Sequence, residues 1–246
     1  MGRIAVLALL IGVAGAGPAR AECVELGPIC QRFWMYEAVF DGTAILSVPL
    51  VVTEGQPARS VTHSLVTYRV NKAWRGVSTS ELQVFTFAIG YGEAFIPEVG
   101  ERYLLMANRG HHGYLVADGC GSSLEFGSAK AQLDYLSTLD KPTRGGSVFG
   151  TAVLRRELQR PGSGHNTETA WSPVETRMRL TGGRSTRTAM TDGGKFRFDG
   201  LPAGTYSLRI TVPPTLTEWV GPERSVTLPD THACAAVGFS FSERPR

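Results

Sequence analysis

Two adjacent histidines are the side chains whose type and spacing come closest to suggesting catalytic chemistry. His111 and His112 lie between glycines, and Asp118 is the acidic residue that follows them. Neighbouring histidines in a strand or turn point apart, and a metal site needs further ligands that converge. The chain also lacks a Gly-x-Ser-x-Gly elbow and a phosphate-binding glycine loop. We therefore predict no catalytic residues, no metal, no cofactor and no enzymatic activity; a metal-dependent hydrolase using the two histidines is the weakest alternative.

Four arginines form the second group, because each alternates with apolar neighbours in a segment of strand-like period. On one sheet they would make a basic stripe able to bind an anionic glycan, an envelope polymer or an acidic part of the same chain. The alternative, which the sequence favours, is a solvated face balanced by Glu175 and Asp199. The four residues are Arg177, Arg179, Arg197 and Arg209.

The N-terminus has the features of a secretory signal peptide. A basic start at Arg3 precedes an apolar run over residues 4–17, which is too short to cross a bilayer comfortably. An Ala-x-Ala site ends at Ala21, so residues 1–21 are predicted to be removed, leaving Glu22 first. No later run is long and apolar enough to span a membrane. We expect a secreted protein, periplasmic or extracellular.

The number of cysteines is consistent with a secreted protein. An even number in a secreted chain implies two disulfides, and the spacing leaves all three connectivities open. No CxxC pair or Cys/His cluster at finger spacing is present, so a structural zinc site is not expected. The four residues are Cys23, Cys30, Cys120 and Cys234.

Charge divides the mature chain into two parts. Residues 22–140, the first half, hold 8 Lys/Arg against 13 Asp/Glu, whereas residues 151–246 hold 13 against 9. Such a split suggests two units that could dock through their opposite charges. The mature protein as a whole is nearly neutral, which makes nucleic acid an improbable partner.

The pattern of apolar residues predicts strands throughout, hence an all-β protein. In the first half a long strand over residues 65–76 has partners before and after it, and helices are expected over residues 29–38 and 128–139, the second capped by Ser128. Residues 141–146 form a linker rich in Pro and Gly. Residues 147–246, the second half, repeat short strands with one apolar face, as in a β-sandwich, with a polar loop over residues 159–173.

Several short motifs in the first half resemble the netrin-like domain of tissue inhibitors of metalloproteases, most closely its bacterial secreted members. The resemblance covers about residues 23–139 and implies a five-stranded OB-type barrel with flanking helices, a fold used as a binding scaffold. The motifs are Val39-Phe40-x-Gly42, Val70-x-x-x-Trp74-x-Gly76, Phe95-x-x-x-Gly100-x-x-Tyr103-Leu104-Leu105 and Gly119-Cys120.

Two departures from that family matter. The family commonly begins Cys-x-Cys, whereas Glu22 stands at the first of those places and only Cys23 remains. The family's Cys just before the Phe-x-x-x-Gly motif is also missing, with Gly90-Tyr91-Gly92 near its place. The resemblance then implies a Cys23–Cys120 disulfide, which leaves Cys30 and Cys234 as the second pair. In the animal inhibitors the amino group of an N-terminal Cys binds the catalytic zinc of the protease. Because Glu22 precedes Cys23, we predict that this protein does not inhibit zinc proteases in that way.

The second half resembles the transthyretin-like regulatory domain that follows some carboxypeptidases, and the related repeat of bacterial surface proteins. In that family the domain is a structural or adhesive accessory. The sequence thus favours a secreted, non-enzymatic binding or envelope-associated protein whose partner is an extracellular protein or envelope polymer; a protease inhibitor is the alternative. The matching stretch is Thr191-Asp192-Gly-Gly-Lys-Phe196-x-Phe198-x-Gly200-Leu201-Pro202-x-Gly204-x-Tyr206-x-Leu208.

Overall fold

The computed structural model of the 246-residue chain describes residues 27–54, 59–86, 95–110, 113–117, 123–159, 167–183 and 185–244. Most of these residues lie in strands, which confirms the all-β class. No helix among them is long and apolar enough to cross a membrane. The elements in chain order are α1 (Ile29–Met35), β1 (Ala38–Glu54), β2 (Arg59–Arg75), β3 (Glu81–Thr86), β4 (Arg102–Arg109), β5 (Leu115–Ala117), β6 (Leu124–Glu125), α2 (Lys130–Leu136), β7 (Gly146–Gln159), β8 (Thr167–Pro173), β9 (Arg177–Gly182), β10 (Ser185–Met190), β11 (Lys195–Leu201), β12 (Gly204–Ile210), β13 (Leu216–Glu218), β14 (Glu223–Leu228) and β15 (Cys234–Glu243).

The first half forms a closed five-stranded barrel. Its strands follow the order β1-β2-β3-β5-β4, and β1 also pairs with β4, which closes the ring. Side chains on the inner face fill the interior, and β4 is buried on both faces from Tyr103 to Ala107 because the helices cover its outer side. Phe40, Val66, Tyr68, Val84 and Leu105 are among these buried side chains. The expected OB-type barrel is confirmed.

A bend in β1 sets the shape of this barrel. The pairing register between β1 and β2 shifts between Asp41 and Gly42. A Cβ at Gly42 would lie 3.0 Å from the Phe40 ring, so the close packing favours glycine. The neighbouring Asp41 carboxylate is buried and accepts hydrogen bonds from Arg102 Nε at 2.8 Å and Asn71 Nδ2 at 3.1 Å. These bonds supply the partners that a buried charge requires.

The two helices cover a second apolar cluster outside the barrel. Phe33 on α1 and Leu136 on α2 pack there against barrel residues such as Leu104. The helix α2 is shorter than the sequence predicted, and Ser128 does not cap it. Ser128 lies in a 3₁₀ turn, and Ala129 occupies the N-cap position without a side-chain hydrogen bond.

The second half is a two-layer sandwich. One layer is the sheet β10-β9-β12-β14, and the other contains β11-β7-β15-β13 with β8 added beside β7. The predicted polar loop over residues 159–173 is wrong in its last part, because β8 pairs with β7 from Thr167 to Pro173. The β7–β8 ribbon extends past the sandwich core, so the residues of β8 are mainly polar. A strand without alternating buried residues has no apolar period by which the sequence could predict it. The core between the layers includes Met178, Leu208 and Phe239.

The helix α1 joins the two halves. Cys30 on α1 forms a disulfide with Cys234 at the start of β15, the pair left over in the expected connectivity. The backbone N–H of Ala236 donates to Gln31 Oε1 at 2.9 Å. Trp34 packs against both the helix cluster and the sandwich core. The helix that leads into the barrel is thus anchored to the sandwich.

Tyr135 on α2 extends this junction. Its hydroxyl donates to the His232 carbonyl at 3.1 Å and accepts from Trp34 Nε1 at 3.2 Å, while burial raises its pKa to about 12. The His232 ring places Nδ1 2.9 Å from Asp230 Oδ1 and Nε2 2.9 Å from the Lys141 carbonyl. Hydrogen bonding to the Asp230 carboxylate raises the pKa of His232. The linker and the sandwich are therefore tied by a titratable group.

Candidate functional site

Three of the four predicted arginines lie together on the outer face of the sheet β10-β9-β12-β14. Along β9, Met178 and Leu180 are buried in the sandwich, so Arg177 and Arg179 point outward and are exposed. Along β12, Leu208 is buried and Arg209 is exposed. The two-residue period of a strand is what places all three on one side.

The strand register brings the three arginines close. Arg179 lies directly opposite Arg209 across the β9–β12 pair, and Thr188 lies opposite Arg179 on β10. The backbone N–H of Thr211 donates to the Arg177 carbonyl at 2.8 Å. We call this group the arginine face. It comprises Arg177, Arg179, Arg209, Thr186, Thr188 and Thr211, which line a shallow groove of about 640 Å³.

The arginine face is poor in compensating acids. Among the described residues no carboxylate forms an ion pair with its arginines. Glu223 lies opposite Arg209, but its carboxylate accepts a hydrogen bond from Ser207 Oγ at 2.5 Å. Six arginines elsewhere in the described ranges form ion pairs with acidic side chains. These pairs are Arg102–Asp41, Arg109–Glu37, Arg155–Glu157, Arg156–Glu243, Arg197–Asp199 and Arg224–Glu218.

This arrangement is unfavourable for the protein alone. Like charges placed directly opposite each other on neighbouring strands destabilise a sheet, by about 0.2–1 kcal/mol. An anion bound between Arg179 and Arg209 would remove that repulsion and accept charge-assisted hydrogen bonds. The threonine hydroxyls beside them can donate to the same ligand. The face can therefore bind a carboxylate, sulfate or phosphate group through its guanidinium and hydroxyl donors.

Arg197 is not part of the arginine face, which corrects the expectation of a four-arginine stripe. It lies on β11, in the other sheet, and pairs there with Phe149 on β7. Its Nε donates to both Asp199 carboxylate oxygens, at 2.8 and 2.9 Å, and its guanidinium lies 5.2 Å from the Phe149 ring centroid. Arg197 is thus satisfied within its own strand region.

The sequence prediction of the basic stripe did not include the threonines of the arginine face. The segment Ser185–Met190 has no apolar alternation, and all its residues except Ala189 are exposed. Its threonine content, which suits an exposed edge strand, is the signal in the sequence that points to Thr186 and Thr188. Thr211 lies just past the end of β12 and carries no comparable signal.

A second concavity, of about 950 Å³, lies between α1 and the sheet that contains β7. Met35 and Met190 flank it, 59% and 60% exposed, and Phe149 lines its floor. The groove results from the way the Cys30–Cys234 disulfide holds α1 against β15. Its lining is mainly apolar and also includes Asp192, Lys195 and Arg197.

The predicted histidine and disulfide positions of the first half are outside the described residues. These are His111, His112, Asp118, Cys23 and Cys120. In the part of the chain that the structure describes, no group of three or more His, Cys, Asp or Glu side chains could hold a metal ion. His63 is buried, with its ring centroid 4.7 Å from that of Phe85.

Comparison of the sequence with models of protein families and with curated proteins finds no match. Among solved structures, the chain is similar to GBS52, the minor pilin of Streptococcus agalactiae, at 14% identity, with 86% of this chain and 84% of that chain covered and a TM-score of 0.30. It is also similar to the major pilin T-13 of Streptococcus pyogenes, at 11% identity, with 85% and 90% covered and a TM-score of 0.20. TM-scores this low carry no argument about the function of this chain.

Proposed function

We propose that this chain is a secreted, non-enzymatic binding protein of the cell envelope, and that its arginine face holds an anionic polymer. The observation that carries the proposal is the cross-strand pair Arg179–Arg209, which forms no ion pair among the described residues although Glu223 lies opposite Arg209. A sheet that keeps this repulsive pair beside Arg177 is better explained by an external anion than by its own stability.

The groove favours a polymer over a small metabolite. It is shallow and open, and its three arginines are spread over two strands rather than converging on one point. A chain with regularly spaced acidic groups could contact all three arginines at once. The Cys30–Cys234 disulfide supports a compartment outside the cytosol, since such bonds persist in oxidising surroundings.

The acidic first half does not occupy this face. Its described contacts with the sandwich run through α1 and α2 to β15 and to the His232 turn, on the opposite layer. The groove is lined only by residues of the second half. The ligand of the arginine face would therefore be an external molecule.

The proposal is tested by titrating the full chain with polygalacturonate, a carboxylate polymer, and with uncharged dextran. We expect salt-sensitive binding of the first and none of the second. The variant R179Q/R209Q should bind polygalacturonate about 100-fold more weakly, because each charge-assisted hydrogen bond contributes about 1.5 kcal/mol or more. A reducing-end assay on the same mixtures should show no cleavage of either polymer.

The matched control is R156Q/R197Q, which also removes two positive charges. Arg156 and Arg197 lie on the other layer and are paired with Glu243 and Asp199. This control should retain nearly all binding. Equal losses in the two double variants would show that net charge alone attracts the polymer, and the arginine face would then lose its role.

A further inference from the structure

Two exposed tryptophans lie on the outer face of the other layer, far from the arginine face. Trp171 on β8 is 57% exposed, and Trp219, just after β13, is 59% exposed. The outer faces of two packed sheets point in opposite directions. Any ligand of these tryptophans is therefore separate from a polymer bound at Arg179 and Arg209.

The register places both tryptophans on the same outer face as Arg155, with Trp219 two residues further along the strands than Trp171. Trp171 lies directly opposite Arg155 across the β8–β7 pair, so their side chains share a face. The Arg155 guanidinium lies 5.0 Å from the Trp219 ring centroid. The backbone N–H of Trp219 donates to the Ser240 carbonyl of β15 at 3.3 Å. We call Trp171, Arg155 and Trp219 the tryptophan strip.

The strip crosses the strands in the order β8, β7, β15 and then the end of β13. Three strand spacings, about 14 Å across the sheet, separate the backbone of Trp171 from that of Trp219. Between them, Ser240 is half-buried opposite the half-buried Val153, and Arg155 forms an ion pair with the exposed Glu157 at 3.1 Å. The two aromatic surfaces thus alternate with the hydrogen-bonding side chains that lie between them.

This alternation matches the chemistry of a sugar chain. Each pyranose ring has a face of C–H groups that can stack on an indole, and hydroxyls at its edge that bond to arginine, carboxylate and serine. The serine and the Arg155–Glu157 pair interrupt the apolar surface between the indoles, so this face lacks the large continuous apolar patch that commonly marks a protein interaction site. The inner side of the same sheet packs in the sandwich core, where Leu154 and Phe241 are buried, so the indoles have no role in that core.

We propose that the tryptophan strip binds an uncharged stretch of polysaccharide, with sugar rings stacked on Trp171 and Trp219 and their hydroxyls bonded to Arg155 and Glu157. This site goes beyond the proposed function, because it uses another layer of the sandwich and a ligand without charge. It would give the protein a second contact with an envelope polymer, independent of ionic strength.

The test is calorimetric titration of the full chain with cellohexaose and chitohexaose, at low and at high salt. At least one hexasaccharide should bind, with an affinity that salt does not change. W171A and W219A should each weaken binding about ten-fold. W171F and W219F should keep most of it, since phenylalanine preserves a stacking surface. The control L158A, at an apolar residue 50% exposed on the same ribbon, should bind like the wild type.

Variants of the arginine face distinguish the two proposed sites. R179Q/R209Q should bind the hexasaccharides normally, even if it no longer binds polygalacturonate. The proposal is overturned if neither hexasaccharide binds, if the double variant W171A/W219A binds as the wild type does, or if only R179Q/R209Q loses the sugar. It is also overturned if W171A/W219A abolishes self-association seen in sedimentation while sugar binding is absent, because the strip would then be a protein interface.

Discussion

Replacing both Cys30 and Cys234 by serine should release α1 from the sandwich. The disulfide joins residues 204 positions apart. On the chain-entropy relation, a closed loop of that length restricts the unfolded chain by about 5 kcal/mol, and native disulfides generally contribute roughly 2–5 kcal/mol. The expected loss in free energy of unfolding for C30S/C234S is therefore roughly 2–5 kcal/mol.

The remaining contacts of the junction are too few to replace it. The Ala236–Gln31 and Tyr135–His232 hydrogen bonds contribute about 1 kcal/mol each. Trp34 adds packing on both sides. We expect the variant to lose cooperativity, with the barrel and the sandwich unfolding in separate urea transitions, and its α1 amides to exchange hydrogen faster than those of the wild type.

The assay is urea unfolding followed by tryptophan fluorescence and by circular dichroism, together with hydrogen exchange. The control variant Q31A removes a junction hydrogen bond but keeps the disulfide, and should shift stability by only about 1 kcal/mol. If C30S/C234S unfolds in one transition at the wild-type midpoint, with α1 amides protected as before, then apolar packing holds the junction and the disulfide reasoning is wrong.

Two further predictions follow from single side chains. Hydrogen bonding to Asp230 raises the pKa of His232 above 6.5. The His232–Asp230 interaction should therefore contribute its full stability below pH 6.5 and lose it as the pH rises through the raised pKa. In a series between about pH 5 and 8, the unfolding midpoint should fall for the wild type and stay level for H232Q. R179T should raise the free energy of unfolding by about 0.2–1 kcal/mol while weakening polygalacturonate binding, because it removes the like-charge pair with Arg209. A stability equal to or below that of R197T, which breaks an ion pair with Asp199, would contradict the repulsion argument.

Local alternation was enough to predict which arginines face solvent. Met178 and Leu180 mark the buried side of β9, so the exposed side follows from a period of two. Sheet membership could not be predicted this way. Arg197 has the same alternation, but β11 pairs with β7, a strand almost fifty residues earlier in the chain, and only that long-range pairing puts it on the other layer.

The tryptophan strip shows the same limit. Trp171 lies in a segment whose polar sequence predicted a loop, and it becomes part of a strand because β7 supplies hydrogen-bonding partners from Val153 to Gln159. Arg155 and Trp219 are separated by 64 positions, and their contact depends on the packing of β13 beside β15. Because these side chains come from separate strands, no residue spacing in the sequence predicts that they lie together.

The uneven charge of the chain also has a structural consequence. Opposite charges in the two halves suggested electrostatic docking, but among the described residues no ion pair joins the first half to the second. The junction consists of a disulfide, neutral hydrogen bonds and the Trp34 packing. The excess arginines of the second half therefore do not pair with acidic residues of the first half among the described residues. Three of those arginines lie on an exposed face. Charge that the fold neither pairs nor buries is available to a partner, and this supports an external anion as the ligand of the arginine face.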